Sequence, residues 1–235
     1  ALVSDFQNSG TWFYLNGRHI NGTWNAAPSG TPAQPATPLT AGAVYIDNGN
    51  CNNTSAGNYT YRLKGWIDEI KLWNTRLDSF EIRSWMNKTI ALQQHPKWSS
   101  LRSYYDFNSN INYSAADIAG NTSMTFGNYQ NPLTFNGGVA GSPDINSESS
   151  ACNGYALNLT SGLSNTSAFG FDMSDFDGLN AITVIADIYP TAYPGTNEVK
   201  SIVCKGDYGY TTNTLSLYLQ NISGTNYLRA NVHRN

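Results

Sequence analysis

The chain has 235 residues, a formal net charge of −3 and 12% charged side chains, about half the roughly 25% usual in soluble domains. With no basic cluster it lacks the electrostatic footprint that holds phosphate backbones, which argues against nucleic acid as a partner. No apolar run reaches the roughly 18 residues that cross a bilayer, so no transmembrane segment is expected.

In chain order, the dominant hydrophobic period is two. Residues 11–16 (TWFYLN) read as a strand, ended by Asn16-Gly17, a pair that tolerates positive φ and marks a tight hairpin. Residues 26–40 hold four prolines and read as an extended surface loop. Residues 43–46 read as the next strand, followed by an apolar stretch at 64–74. Then the period changes. Leu77, Phe80, Ile82, Trp85, Met86 and Ile90 recur at roughly helical spacing, with Asp78 or Ser79 placed to cap. These residues predict one short α-helix near 79–87, packed through Phe80, Ile82 and Trp85, with Pro96 beyond its end. Residues 108–150 are polar, with a second turn signal at Asn136-Gly137, and suggest weak strands between long loops. Residues 182–188, 201–204 and 214–219 return to strand patterning. Many short strands without intervening helices predict an all-β fold, an antiparallel β-sandwich.

Ten N-x-[ST] sequons occur, at Asn21, Asn52, Asn53, Asn58, Asn87, Asn112, Asn121, Asn158, Asn165 and Asn221. With few charges and many amides and hydroxyls, they suit a glycan-covered, secreted or cell-surface protein. Of three cysteines, Cys51 and Cys152 lie in polar, Asn-rich surroundings where an exposed thiol is a liability, and are expected to form a disulfide. Cys204, in the apolar run SIVCKG, reads as a small buried hydrophobe.

Residues 64–74 (KGWIDEIKLWN), followed by Leu77, Glu81 and Ile82, resemble the closing strand of laminin G-like and concanavalin A-like jelly rolls. In that family pattern Ile67, Ile70, Leu72 and Trp66 bury, while Asp68 and Glu69 accept backbone N–H bonds from neighbouring turns. Residues 11–17 (TWFYLNG) and 44–47 (VYID) are similar to other strands of the same half. Residues 101–108 (LRSYYDFN), 117–121 (DIAGN), 156–158, 182–190 and 201–206 resemble the family's first half. Residues 1–95 thus resemble the C-terminal half of a laminin G-like sandwich and residues 98–235 its N-terminal half. Together they make about one domain's worth of strands in reversed order. The short stretch that would join Val232 to Val3 is missing. Two explanations fit: an excerpt from a repeat array cut mid-domain at both ends, or a permuted unit with its termini adjacent or its open position filled by a neighbouring copy.

The resemblance spans hydrolases and binding modules, so chemistry has to be read from residues. The glucan-hydrolysing relatives carry E-x-D-x-x-E on one strand, which this chain lacks. Asp68 and Glu69 are adjacent and, in a regular strand, point to opposite faces. His19, His95 and His233 are scattered, and no nucleophile elbow, zinc-protease motif or phosphate loop occurs. The chain is therefore not expected to be an enzyme. Calcium is the cofactor the resemblance implies. Asp47, Asn48 and Asn50 form one oxygen-rich turn, Asp117 with Asn121 a second, and Asp172, Asp175 and Asp177 a third. Each also reads as a turn stabilised by Asx hydrogen bonds. For glycans, Trp24, Tyr208 and Tyr210 are the candidate stacking residues, loop-borne among polar neighbours.

The expectation is an extracellular structural or adhesion module, in contact with neighbouring copies or repeats of the same protein. A lectin-like glycan-binding domain, with calcium, is the first alternative, and an accessory module of a larger secreted enzyme the second.

Overall fold

The computed structural model describes residues 1–8, 10–22, 39–42, 63–88, 90, 94–106, 110–111, 114–115, 117–119, 124–126, 139–143, 155–158, 168–170, 179–205 and 215–232. Within them the first strands are β1 (Leu2–Asp5), β2 (Gly10–Leu15), β3 (Arg18–Ile20), β4 (Leu39–Ala41), β5 (Lys64–Trp73) and β6 (Leu101–Tyr105). Short strands follow: β7 (Asn110–Ile111), β8 (Ser114–Ala115), β9 (Met124–Phe126), β10 (Val139–Pro143), β11 (Tyr155–Asn158) and β12 (Ala168–Gly170). The last four are β13 (Ala181–Ala192), β14 (Val199–Lys205), β15 (Leu215–Ile222) and β16 (Thr225–Val232).

These strands make two antiparallel sheets. The first runs β10-β11-β5-β13-β1-β2-β3, with β6 also on β5; the second runs β16-β15-β14-β4-β12-β9-β8-β7. Leu2, Phe13, Ile67, Leu72, Ile182 and Val184 of the first sheet pack against Ala41, Ile202, Val203, Leu215, Leu217 and Leu219 of the second. Two sheets sharing one apolar interior form the predicted all-β sandwich. Strands from before residue 95 and after residue 98 are mixed in both sheets: β5 lies between β11 and β13, β1 between β13 and β2, and β4 between β14 and β12.

The first sheet is covered on its outer face as well. Val3, Trp73, Leu101, Tyr104 and Ile185 form a second core there with Leu77, Ile82 and Ile90 from the segment after β5. This explains why Ala181–Ile185 is buried without alternation, since neither face meets water. The Thr183 hydroxyl ties the covering segment down, donating to the Thr75 carbonyl at 2.7 Å and accepting from the Leu77 N–H at 3.0 Å.

The predicted helix forms as α1 (Ser79–Trp85). Asp78 caps it, accepting from the Phe80 and Glu81 N–H groups at 2.8 Å each, while Glu81 reaches back to the Asp78 N–H at 2.8 Å. The packing face differs from expectation in one residue: Ile82 is buried and Trp85 packs on the outer core, but Phe80 is 71% exposed. At about 100° per residue, Ile82 and Trp85 share a face while Phe80 lies nearly opposite Ile82. The Asn16-Gly17 hairpin also forms, with φ of 48° and 70°, closing β2 onto β3 at Leu15 and Arg18.

β5 carries the main irregularity. Lys71 pairs with Ile185 and Asp68 with Asp187, so Glu69 and Ile70 together face Ala186 alone. This bulge puts Glu69 at φ +53° and reverses the parity of the strand. Ile67, Ile70 and Leu72, spaced by three and then two, consequently all reach the inner core with no exposure.

Candidate functional site

Leu2 pairs with Val184, whereas β13 continues to Ala192 with β5 along its other edge. The Phe6 N–H donates to the Asn180 carbonyl at 2.7 Å, which fixes the parity of this edge. In antiparallel pairing, alternate residues turn both peptide groups to the same neighbour. Asn180, Ile182 and Val184 therefore face β1, and Ala186 and Ile188 turn theirs past its end. Pro190, next in this set, has no N–H to offer.

A cavity of about 440 Å³ occupies that position. It is a slot between the β2–β3 hairpin at Leu15, Asn16 and Gly17 and the β13 stretch 185–188, beside Ala1. Its floor is apolar, formed by Ile202, Leu217 and Leu228 of the second sheet. Met86 and Asn87, just beyond α1, line its outer side. Leu15 is 55% exposed on its rim. At the inner end, the Ala1 ammonium donates to the Tyr14 carbonyl at 2.6 Å.

Beside the slot, under the outer core, lies a buried charged group. Lys71 and Glu69, 0% and 1% exposed, form an ion pair. The Tyr104 hydroxyl donates to Glu69 at 2.8 and 3.0 Å, and Lys71 donates to the Lys88 carbonyl at 3.0 Å. Burial raises the Glu69 pKa despite Lys71 and Tyr104, with Asp187 adding to the rise. Burial and the adjacent Glu69 charge raise that of Tyr104. Asp68 is buried too, accepting from the Glu69 N–H at 2.8 Å. The tempting acid pair thus stabilises the bulge and has no surface from which to meet a substrate.

A second buried titratable group sits under the helix. His95 is 2% exposed, with ring centroids 5.4 Å from Trp73 and 4.9 Å from Trp85. Its Nδ1 accepts from the Lys97 N–H at 3.0 Å, and its Nε2 meets no hydrogen-bond partner among the described residues. Burial lowers its pKa.

Of the residues proposed from sequence for calcium, Asp117 is described. Its Oδ1 accepts from the Tyr104 and Ala119 N–H groups, both at 2.9 Å, fixing the turn after β6 as an Asx motif does. Asp47, Asn48 and Asn50 lie outside the described residues, as do Asn121, Asp172, Asp175 and Asp177, the glycan candidates Trp24, Tyr208 and Tyr210, and the cysteines Cys51 and Cys152. Among the described residues no group of three His, Cys, Asp or Glu could hold a metal ion. Cys204 is buried in β14 and forms no disulfide. Among the sequons, Asn21 and Asn87 are exposed and Asn158 ends β11. Asn221 is 7% exposed, its amide donating to Asn226 at 2.9 Å and its carbonyl accepting from the Gly224 N–H at 2.9 Å. Asn52, Asn53, Asn58, Asn112 and Asn165 are outside the described residues.

Sequence reasoning did not single out Lys71, Tyr104, Asp187 or the β13 edge. The odd spacing from Ile67 to Ile70 was the available signal, because two inward residues three apart demand a bulge. Comparison with protein-family models, curated proteins and solved structures gives no match.

Proposed function

We propose that this chain is a non-catalytic extracellular module of structural or adhesive type, laminin G-like in its jelly-roll plan, that works through strand-edge contacts with the proteins beside it, copies of itself included. The observation that carries this reading is the edge of β16 (Thr225–Val232), an eight-residue strand that ends the second sheet and pairs only with β15 among the described residues. Open strand edges recruit further strands, and native sheets otherwise cover or charge them. The motif at residues 64–74 supports the family resemblance, and the exposed sequons at Asn21 and Asn87 support an extracellular surface. The structural commitment of Asp68 and Glu69 supports a role without catalysis. Sedimentation velocity with electron microscopy tests the reading: the purified chain is expected to form dimers or longer assemblies at micromolar concentration. A strictly monomeric chain that also retains no protein from extracellular-matrix preparations would overturn it.

A glycan-binding role is favoured by one observation. Tyr189, 48% exposed, stands against Trp66 at 5.8 Å between ring centroids, with Tyr193 60% exposed just beyond β13. Exposed aromatic faces of this kind stack on sugar rings. Binding on a glycan array that Tyr189→Ala abolishes is the expected result; an array without signal removes this reading.

A further inference from the structure

We infer that an N-linked glycan on Asn158 lies across the outer face of the first sheet, with its first sugars seated on the rings of Trp66 and Tyr189. This placement rests on the extracellular reading and goes beyond it: it gives the exposed aromatic pair an occupant that the chain itself carries.

Strand register puts the three residues in one row. Asn158 of β11 opposes Trp66 of β5, and Trp66 opposes Tyr189 of β13. Directly opposed residues in antiparallel pairs share a face. Leu157, Ile67 and Ile188 form the neighbouring row, and Ile67 and Ile188 belong to the inner core. Because faces alternate along a strand, the row of Asn158, Trp66 and Tyr189 falls on the outer face. It lies away from the outer core under α1, to which β5 contributes Trp73 and β13 contributes Ile185.

The chemistry of the row fits an attached sugar. Asn158-Leu159-Thr160 is an acceptor sequon. Adjacent strands are about 4.8 Å apart, so Trp66 is one spacing and Tyr189 two spacings from the acceptor, roughly 10 Å in all. Two linked pyranose rings cover such a distance. Tyr189 is 48% exposed, and its ring stands 5.8 Å from that of Trp66 at an angle of 59°. Together the rings offer a notched apolar surface. A pyranose has the complementary build, with C–H groups forming an apolar face and hydroxyls at its rim. Stacking it there removes aromatic surface from water while the sugar's polar groups stay hydrated.

The whole chain, secreted from eukaryotic cells, is the test material. Peptide mapping is expected to find glycan on Asn158. Nitration with tetranitromethane is expected to spare Tyr189 in that material and to modify it once the glycan is removed enzymatically. Thr160→Ala, which deletes the sequon and leaves Asn158 in place, is expected to lower Tm by about 2–4 °C, the loss of one stacking contact in a chain of this size. In the Tyr189→Ala background the seat is gone, and the same substitution is expected to shift Tm by under about 1 °C. Tyr189→Phe keeps the ring and is expected to restore the full shift. An unoccupied Asn158 in material that carries glycan at Asn21 or Asn87 overturns the inference and leaves the extracellular reading standing. Equal nitration of Tyr189 with and without the glycan, or a Thr160→Ala shift that Tyr189→Ala does not reduce, also overturns it. Secreted material without glycan at any sequon overturns the inference and the extracellular reading together.

Discussion

Replacing Lys71 by Met removes the cation from a pair with no access to solvent. Both side chains are essentially unexposed, so no water replaces the ammonium beside Glu69. Breaking a buried pair from one side costs about 3–5 kcal/mol, most of it the desolvation of the charge left behind. That charge gives the loss a pH signature. Burial already raises Glu69 above its ordinary 4.5, and without Lys71 the rise is larger. The folded state then binds a proton more tightly than the unfolded chain, so stability falls as pH rises from the ordinary value toward the raised one. The loss caused by Lys71→Met is therefore greatest near pH 8 and smaller at pH 5. Adding Glu69→Gln removes the stranded charge and keeps an acceptor for the Tyr104 hydroxyl, so the double variant regains at least about 1 kcal/mol over the single one at pH 8. Urea unfolding followed by tryptophan fluorescence at the two pH values measures all three quantities. A Lys71→Met loss under about 1 kcal/mol, or one that grows on acidification, refutes the reasoning.

Gly65→Ala is expected to destabilise by about 2–3 kcal/mol by thermal unfolding, because φ is +153° there and a Cβ would sit 2.1 Å from the Tyr189 carbonyl oxygen; an unchanged Tm counts against the strand contact. His95 is held neutral by burial, with Glu81 opposing and Lys97 and Lys71 reinforcing the lowered pKa. Its folded value lies below its unfolded one, so its contribution is present above about pH 6.5 and is lost as pH falls toward the folded value. His95→Phe, which keeps the stack with Trp73 and Trp85, should flatten the stability profile below about pH 6.5, and an unaltered slope would exclude His95 as its source. Peptide mapping of material secreted by eukaryotic cells should find glycan at Asn21 or Asn87 and none at Asn221, whose amide is hydrogen-bonded inside the β15–β16 hairpin.

The longer strands and the helix were legible because each depends on local periodicity, whereas β4 (Leu39–Ala41) begins inside the proline-bearing stretch 26–40 read as a loop, and the strand read at 43–46 lies outside the described residues. Ile67, Ile70 and Leu72 are apolar where β5 needs them, Asn16-Gly17 has the chemistry of a tight turn, and Asp78 caps as its position suggests. Phe80 was misplaced because apolar residues on so short a helix do not all fit one face. Lys71 was not legible for a different reason. A lysine between Ile70 and Leu72 reads as a solvent-facing residue, and only the return of residues 77–90 over the outer face encloses it. The slot was beyond local reading altogether, because β2 and β13, which line it, are remote in sequence.

The interleaving of early and late strands has a consequence for how the molecule is made. Leu2 pairs with Val184, Ile67 with Ile188, and Ala41 with Val203, so contacts that close the interior join positions far apart along the polypeptide. During synthesis the first 95 residues emerge with β1, β4 and β5 lacking the β13 and β14 partners that shield them. Such wiring implies slow, late consolidation, with aggregation-prone intermediates awaiting the closing strands. It also implies that a cut in the polar stretch between β6 and β13 need not release the pieces, since each would still hold the other's central strand.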